Sequence, residues 1–297
     1  MFLKFIFSSL CAFLCFSCGN SKSHNNTPFI IKDSFVVNNA DLLDDSSNRE
    51  TNTLVDTKSA AVEDNERVLE DDSTSESSDY FYEKNPNVIS HKYYELLYSE
   101  EHEQPFWVKY VGTKEHVLDK KYKRKNNFRE DPLVETQSAT LSDYVKSGYD
   151  RGHLCPAGDM CFSETAMSES FYMSNMSPQS PSFNRGKWKS LEEKVRKWSV
   201  KYDTAIIYCG GVLSDIAKTI GSNKVSVPKY YYKVVYCPTI NSAVGFIMPN
   251  EKCELSLSSY MVSVDSVESL TKIDFYNNYL PNVQKSFESN STLSFWF

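Results

Sequence analysis

The chain has 297 residues, enough for one large domain or two small ones, with 32 Lys and Arg against 39 Asp and Glu and a formal net charge of −7. Of these, 15 acids and 7 bases lie in residues 1–90, leaving 24 acids and 25 bases for the remainder. The globular part is therefore close to neutral, which excludes the general basic excess by which many polyanion-binding proteins are recognised.

Residues 1–18 read as a signal peptide: Lys4, then an apolar run from Phe5 to Phe16, then small residues before Gly19. The run is shorter than the ~20 residues a spanning helix needs, which argues against a permanent membrane span. Leu14-Cys15-Phe16-Ser17-Cys18-Gly19 resembles a loose lipobox, so two readings stand: a lipid anchor through Cys18, or a cleaved leader with a chance cysteine. Either way the expectation is an exported protein, at an outer surface or in the periplasm if anchored and otherwise secreted. Residues 19–87 are rich in Ser, Asn, Asp, Glu and Thr and lack any sustained apolar period, so a disordered acidic and polar tether is expected there.

Residues 88–297 form the expected domain. Strands are expected at Phe106–Val111, Ala205–Cys209, Tyr230–Tyr236 and Ala243–Met248, short β-rich runs separated by turns. Helices are expected at Glu164–Met173 and over 184–201, where Trp188, Leu191, Val195 and Trp198 recur at helical spacing. The fold class is α+β, with an antiparallel sheet rather than βαβ units. No repeat with a period of 20 to 50 residues is visible. Two basic runs stand out, Lys120, Lys121, Lys123, Arg124, Lys125 and Arg129, then Arg185, Lys187, Lys189, Lys194, Arg196 and Lys197. Each is either a solvated face or a polyanion-binding patch.

Between those runs, Tyr149-Asp150-Arg151-Gly152-His153-Leu154 sets a cation and a histidine two residues apart. Hydrolysis of a phosphodiester needs a base to deprotonate water and a cation to hold the phosphate, and Arg151 and His153 can supply both. On a strand they would point to the same side, with Gly152 leaving room for close backbone approach. His24, His91, His102 and His116 lack comparable neighbours in sequence. Further on, Asn184, Trp188 and Glu192 follow i, i+4, i+8 on one helix stripe, where an amide oxygen and a carboxylate could hold a hydrated hard cation. The plainer alternative is that Asn184 caps the helix and Glu192 faces solvent.

Asp150-Arg151-Gly152-His153, followed by Ser174-Asn175, Pro178-Gln179 and Asn184 to Glu192, resembles the DNA/RNA non-specific endonuclease family of ββα-metal nucleases. The likeness extends upstream to Phe128-Arg129-Glu130-Asp131 and Asp143-Tyr144. Downstream it takes in Val227-Pro228, Tyr231-Tyr232-Lys233-Val234 and Met248-Pro249-Asn250, so that it covers nearly all of residues 105–280. It implies an antiparallel sheet flanked by helices, with a ββα-metal finger as the active site. His153 would be the general base and Asn184 the direct protein ligand of one Mg²⁺, with Mn²⁺ as the alternative ion. Glu192 would orient a water around the metal, and Arg151 with Arg124 would hold phosphate charge. Arg129 lies so near Arg124 that a single gap in the match would exchange them as substrate-binding residues. Asp150 and Gly152 would be structural parts of the motif. The partners implied are DNA and RNA, without an organic cofactor, and a homodimer is left open.

The chain departs from that family at Cys155 and Cys161. With His153 they suggest a zinc site that lacks a fourth ligand at a usual spacing. Five cysteines (155, 161, 209, 237 and 253) lie outside the leader, so one or two disulfides, including Cys155 with Cys161, stand beside buried thiols as alternatives. The rival function is a catalytically silent nuclease-fold module that binds nucleic acid or a partner protein at the cell surface. Retention of Arg151, His153, Asn184 and Glu192 together argues against it. A toxin-like effector would need a delivery module beyond a leader and a tether.

Overall fold

The computed structural model describes residues 29–30, 88–277, 279, 281–288 and 293–297. The leader, its Cys18 and all of the tether except Phe29–Ile30 lie outside the described residues. The strands are β1 (Phe29–Ile30), β2 (Val88–Ser90), β3 (Tyr94–Ser99), β4 (Gln104–Thr113), β5 (Asp150–His153), β6 (Met176–Gln179), β7 (Thr204–Gly211), β8 (Ile216–Ile220), β9 (Val225–Pro228), β10 (Tyr230–Cys237), β11 (Ser242–Pro249), β12 (Met261–Val262) and β13 (Ile273–Asp274). The helices are α1 (Lys114–Leu118), α2 (Leu141–Tyr144), α3 (Glu164–Glu169), α4 (Lys189–Lys201), α5 (Val264–Thr271), α6 (Pro281–Glu288) and α7 (Leu293–Trp296).

Seven strands form the main sheet in the order β12-β11-β10-β7-β4-β3-β2, and every neighbouring pair is antiparallel. Its centre is made of the aromatic and β-branched runs expected as strands, extended by one or two residues at each end except that β10 begins at Tyr230 as expected. β5 with β6 and β8 with β9 form separate two-stranded ribbons, and β1 pairs in parallel with β13. Both faces of the sheet are covered, so its central strands are buried continuously instead of alternating. From β10, Tyr231 and Val235 enter the core beneath α4, while Tyr232, Val234 and Tyr236 enter the core beneath α5 and α6. α4 contributes Leu191, Val195 and Trp198, the stripe that the helical spacing marks.

Two helix expectations need correction. The helix expected at 164–173 stops at Glu169, and Met173–Asn175 form a 3₁₀ turn, because Ser163 caps one end while Ser170 and Arg129 take up backbone groups at the other. The helix expected from Asn184 begins with a π-helical turn, Phe183–Trp188, in which Gly186 leaves helical dihedrals at φ −103°, ψ −115°. The disulfide expectation also falls: Cys155, Cys161, Cys209, Cys237 and Cys253 are all free thiols.

The long excursion between β4 and β7, residues 114–203, carries the β5–β6 hairpin and α4. Asn175 ties the end of that hairpin down. Its Oδ1 accepts from the Cys155 N–H (2.8 Å), and its Nδ2 donates to the carbonyls of Cys155 (2.9 Å) and Ser170 (2.8 Å). Ser177 and Tyr231, 2.5 Å apart between hydroxyls, link the hairpin to the main sheet.

Candidate active site

Asp150–His153 pairs antiparallel with Met176–Gln179, and strand alternation turns Arg151 and His153 to the same side. Both line a cleft of about 360 Å³, together with Arg124, Pro156, Ala157, Gly158, Asn184, Arg185, Lys189, Glu192 and Arg196. Gly152 is needed for close approach: a Cβ there would stand 2.2 Å from the Gln179 side chain, which is fully buried.

His153 is 8% exposed, and its Nε2 is buried without a hydrogen-bond partner among the described residues. Phe128 and Phe171 stand edge-on to its ring, with centroids at 5.6 and 4.9 Å. Burial, then the charges of Arg124 and Arg151, push its pKa down to about 3, with the Arg151 backbone opposing. The imidazole is therefore neutral at physiological pH, with a lone pair available to take a proton. The same two phenyl rings carry the cations: the Arg151 guanidinium lies 4.4 Å from the Phe128 ring centre and that of Arg124 4.8 Å from Phe171. Phe128 and Phe171 pack against these candidate groups, which sequence alone does not show, since the two rings are brought together only by tertiary packing (centroids 5.0 Å apart).

Asn184 sits inside the π-helical turn and caps nothing, which removes the capping alternative. Its Nδ2 donates to Asp150 Oδ2 (2.9 Å), and Arg185 grips the same carboxylate through Nε (2.8 Å) and Nη2 (2.5 Å). Burial alone would raise the Asp150 carboxyl, but these hydrogen bonds and the Arg185 and Arg151 charges hold it below its ordinary value. With its amide nitrogen engaged, Asn184 keeps its carbonyl oxygen as the group a cation could use. The π turn also alters the expected stripe: Trp188 is fully buried in the core, while Asn184 and Glu192 border the cleft. Glu192 is far from the solvated residue of the plainer reading. Burial pushes its pKa up to about 7, against the lowering influence of Lys233, Arg196 and Arg124.

Five cations and a single carboxylate line the cleft, so a domain that is neutral as a whole concentrates positive charge where a phosphate would sit. Arg124 is the upstream arginine that reaches it. Arg129, expected as a substrate-binding residue, does not line it, and this is a correction. Its guanidinium donates to the Asn127 carbonyl (3.2 Å) and to the Ser168 carbonyl (2.9 Å) and hydroxyl (3.2 Å), and it stacks 3.9 Å over Tyr172. Within the basic runs, only Arg124, Arg185, Lys189 and Arg196 face the cleft.

One amide oxygen and one half-buried carboxylate beside cationic walls suit a hard cation that keeps most of its water shell. They do not make a cage of protein ligands. Among the described residues, the one cluster of three or more His, Cys, Asp or Glu able to grip a metal is Asp265, Glu268 and Glu288, on the other side of the sheet. His153, Cys155 and Cys161 are not brought together as a ligand set, which removes the zinc reading.

Comparison with known proteins agrees with this geometry. The family model for DNA/RNA non-specific endonuclease matches residues 72–282. The Mitochondrial nuclease of Saccharomyces cerevisiae is 32% identical over 214 residues, 64% of this chain and 65% of its own. The mitochondrial nuclease EXOG of Danio rerio is 35% identical over 208 residues, 64% of this chain and 60% of its own. The chain thus spans somewhat less than two thirds of either relative. A crystal structure of the EndoG/EndoGI complex, described as showing the mechanism of EndoG inhibition, superposes with a TM-score of 0.61 at 30% identity, covering 65% of this chain and 87% of that one. The expectation of export to an outer surface, periplasm or medium is overturned by these relatives, whose names place them in mitochondria. On a family match that takes in the sheet, the Asp-Arg-Gly-His hairpin and the π-turn helix, the chain belongs to the DNA/RNA non-specific endonuclease family.

Proposed function

We propose that this chain is a divalent-metal-dependent endonuclease that hydrolyses phosphodiester bonds of DNA and RNA without sequence preference, with residues 88–297 as the catalytic unit. The observation that carries this reading is the buried, unpaired Nε2 of a neutral His153, flanked by Arg151 and Arg124 and sharing one cleft with Asn184 and Glu192. His153 takes a proton at Nε2 from the attacking water. Arg151 and Arg124, held over Phe128 and Phe171, offset the charge that grows on the phosphate oxygens. Asn184, fixed by Asp150, would supply the protein oxygen to Mg²⁺, with Mn²⁺ as the alternative, and Glu192 would hydrogen-bond the surrounding water. When bound, the ion would add Lewis-acid charge beside the scissile phosphate. Contacts made mainly to phosphate carry no sequence information, which fits a non-specific enzyme.

The test is cleavage of plasmid DNA and of structured RNA by the full chain, in Mg²⁺ and in EDTA, beside Asn184→Ala and Glu192→Gln. Cutting of both substrates that needs the ion and is lost in both variants is the expected result. A folded wild-type chain that binds DNA yet cuts nothing with Mg²⁺ or Mn²⁺ would replace this reading with the silent binding module.

A further inference from the structure

Residues 128–131 run beside residues 171–174: the Arg129 N–H donates to the Phe171 carbonyl (3.3 Å), and the Met173 N–H donates to the Arg129 carbonyl (2.8 Å). At one end of this pairing stand Phe128 and Phe171, both edge-on to His153. At the other end stands Asp131, whose side chain is 0% exposed. Its Oδ1 accepts from the Leu133 N–H (3.0 Å), and its Oδ2 accepts from the Ser174 hydroxyl and from His91 Nε2 (2.8 Å). Burial opposes ionisation of Asp131, but the His91 contact and the bonds from Ser174 and Leu133 hold its carboxyl below the ordinary value. An ionised carboxylate only accepts, so His91 carries a proton on Nε2. The His91 side chain is 3% exposed, and its ring packs on Tyr94 and Tyr172, with centroids at 4.6 and 5.0 Å.

Taking a carboxylate and an imidazole out of water is costly, and well-packed apolar residues would hold the same volume at least as well, so the pair calls for a use beyond stability. Two paths lead from it to His153. Through Ser174 it pins the Met173–Asn175 turn, where the Asn175 carbonyl accepts from the Leu154 N–H (3.0 Å) and the Asn175 side chain holds both backbone groups of Cys155. The chain leaving His153 is thereby fixed. Along the other path, Asp131 closes the pairing that sets Phe128 and Phe171 against the imidazole. We propose that His91 and Asp131 are positioning residues for the hydrolysis: their buried hydrogen bond, passed on through Ser174, holds the His153 ring where it meets the attacking water. This deepens the nuclease reading and rests on it. Neither residue lines the cleft, so both act through His153 and not on the phosphate.

Two substitutions at one position separate the hydrogen bond from the packing. His91→Gln keeps an N–H donor and gives up the ring, whereas His91→Phe keeps a ring against Tyr94 and Tyr172 and gives up the donor. In the full chain, well below each variant's Tm, His91→Phe should lower kcat by roughly 10- to 100-fold, the scale of a misplaced catalytic group, with KM for DNA within about twofold. Asp131→Asn should do the same, and His91→Gln should keep most of the wild-type rate. In the His153→Ala background no ring is left to place, so His91→Phe should change the residual rate by less than about twofold. A rate for His91→Gln no better than for His91→Phe, or equal fractional losses in the two backgrounds, would make the pair merely structural and overturn the proposal. If His91→Phe does not fold, Ser174→Ala, which removes one hydroxyl, replaces it in both backgrounds with the same expected and overturning results. Imidazole NMR supplies an arm that needs no turnover: the His153 ring signals should shift in His91→Phe, or in Ser174→Ala, and stay near wild type in His91→Gln. Unmoved signals overturn the proposal. A wild-type chain that cuts nothing would sink the hydrolytic reading alone, because the ring signals still decide whether the pair positions His153.

Discussion

The two faces of the main sheet receive alternate side chains of the same strands and do different work. The face under α5 and α6 is packed with aromatic residues: Tyr208, Tyr232, Tyr236, Phe275, Tyr276 and Phe287, with Tyr236 stacked on Phe287 at 4.1 Å. Its phenol groups reach backbone acceptors, as when Tyr232 donates to the Phe106 carbonyl (2.7 Å) and Tyr276 to the Ile206 carbonyl (3.0 Å). The face under α4 buries Lys233, and at its margin half-buries Glu192 and holds a neutral His153. Unpaired or half-paired polar groups cost stability, and such groups gather where chemistry is done. Apart from the acid cluster of Asp265, Glu268 and Glu288 on α5 and α6, one side of the sheet is therefore apolar and aromatic packing, and the other borders the candidate site.

That division can be broken at several points. The largest expected effect is on catalysis alone: His153→Ala should lower kcat by roughly 10²- to 10⁴-fold, the range for a general base. Its melting temperature should stay within a few degrees of wild type, which a thermal scan checks. On the opposite face, Phe287→Ala should cost about 3–5 kcal/mol of stability by opening an aromatic core. Its kcat, measured well below the new melting point, should be unchanged.

Arg124 and Arg129 sharpen the contrast because they are close in sequence and differ in surroundings. Arg124→Ala should reduce kcat/KM by about 10- to 100-fold at little cost in stability. Arg129→Ala should leave kcat/KM within about twofold and lose roughly 1–3 kcal/mol by stranding the Ser168 and Asn127 carbonyls. Denaturant titration beside steady-state kinetics separates the two patterns.

The smallest effect is the pH dependence. In the proposed mechanism Glu192 holds water as an anion, and burial pushes its pKa up to about 7, so activity should fall as pH drops through about 7. His153, held near 3, stays neutral across that range and adds no limb. Raising Mg²⁺ should shift the limb to lower pH, because cation and proton disfavour each other near one carboxylate. In Glu192→Gln the limb should vanish from the residual rate, as a pH–rate series would show.

Much of this was legible in the chain because the signals are local. The central strands follow from aromatic and β-branched runs, and α4 from Trp188, Leu191, Val195 and Trp198 at helical spacing. The Arg151 and His153 pairing needed only strand alternation. Other parts are set by contacts that spacing cannot show. The π turn at Phe183–Trp188 breaks the period of 3.6 that placed Asn184 and Glu192 on a regular stripe. Phe128 and Phe171 become supports only when two distant loops meet. Arg124 and Arg129 are indistinguishable as charges in a basic run until Ser168 and Tyr172 claim one of them. Lys233 reads as an ordinary polar interruption of a strand, and only the covering of both sides of the sheet buries it. The leader, read from composition alone, suggested export, and the mitochondrial relatives overturned that.

The central claim, that His153 is the base, is tested most directly by chemical rescue. His153→Gly would leave a slot between Phe128 and Phe171, whose rings stand edge-on to the native imidazole, and free imidazole can enter it. The variant should cleave plasmid DNA far more slowly than wild type and regain rate in proportion to added imidazole base. Wild-type cleavage by His153→Gly without imidazole would contradict the claim.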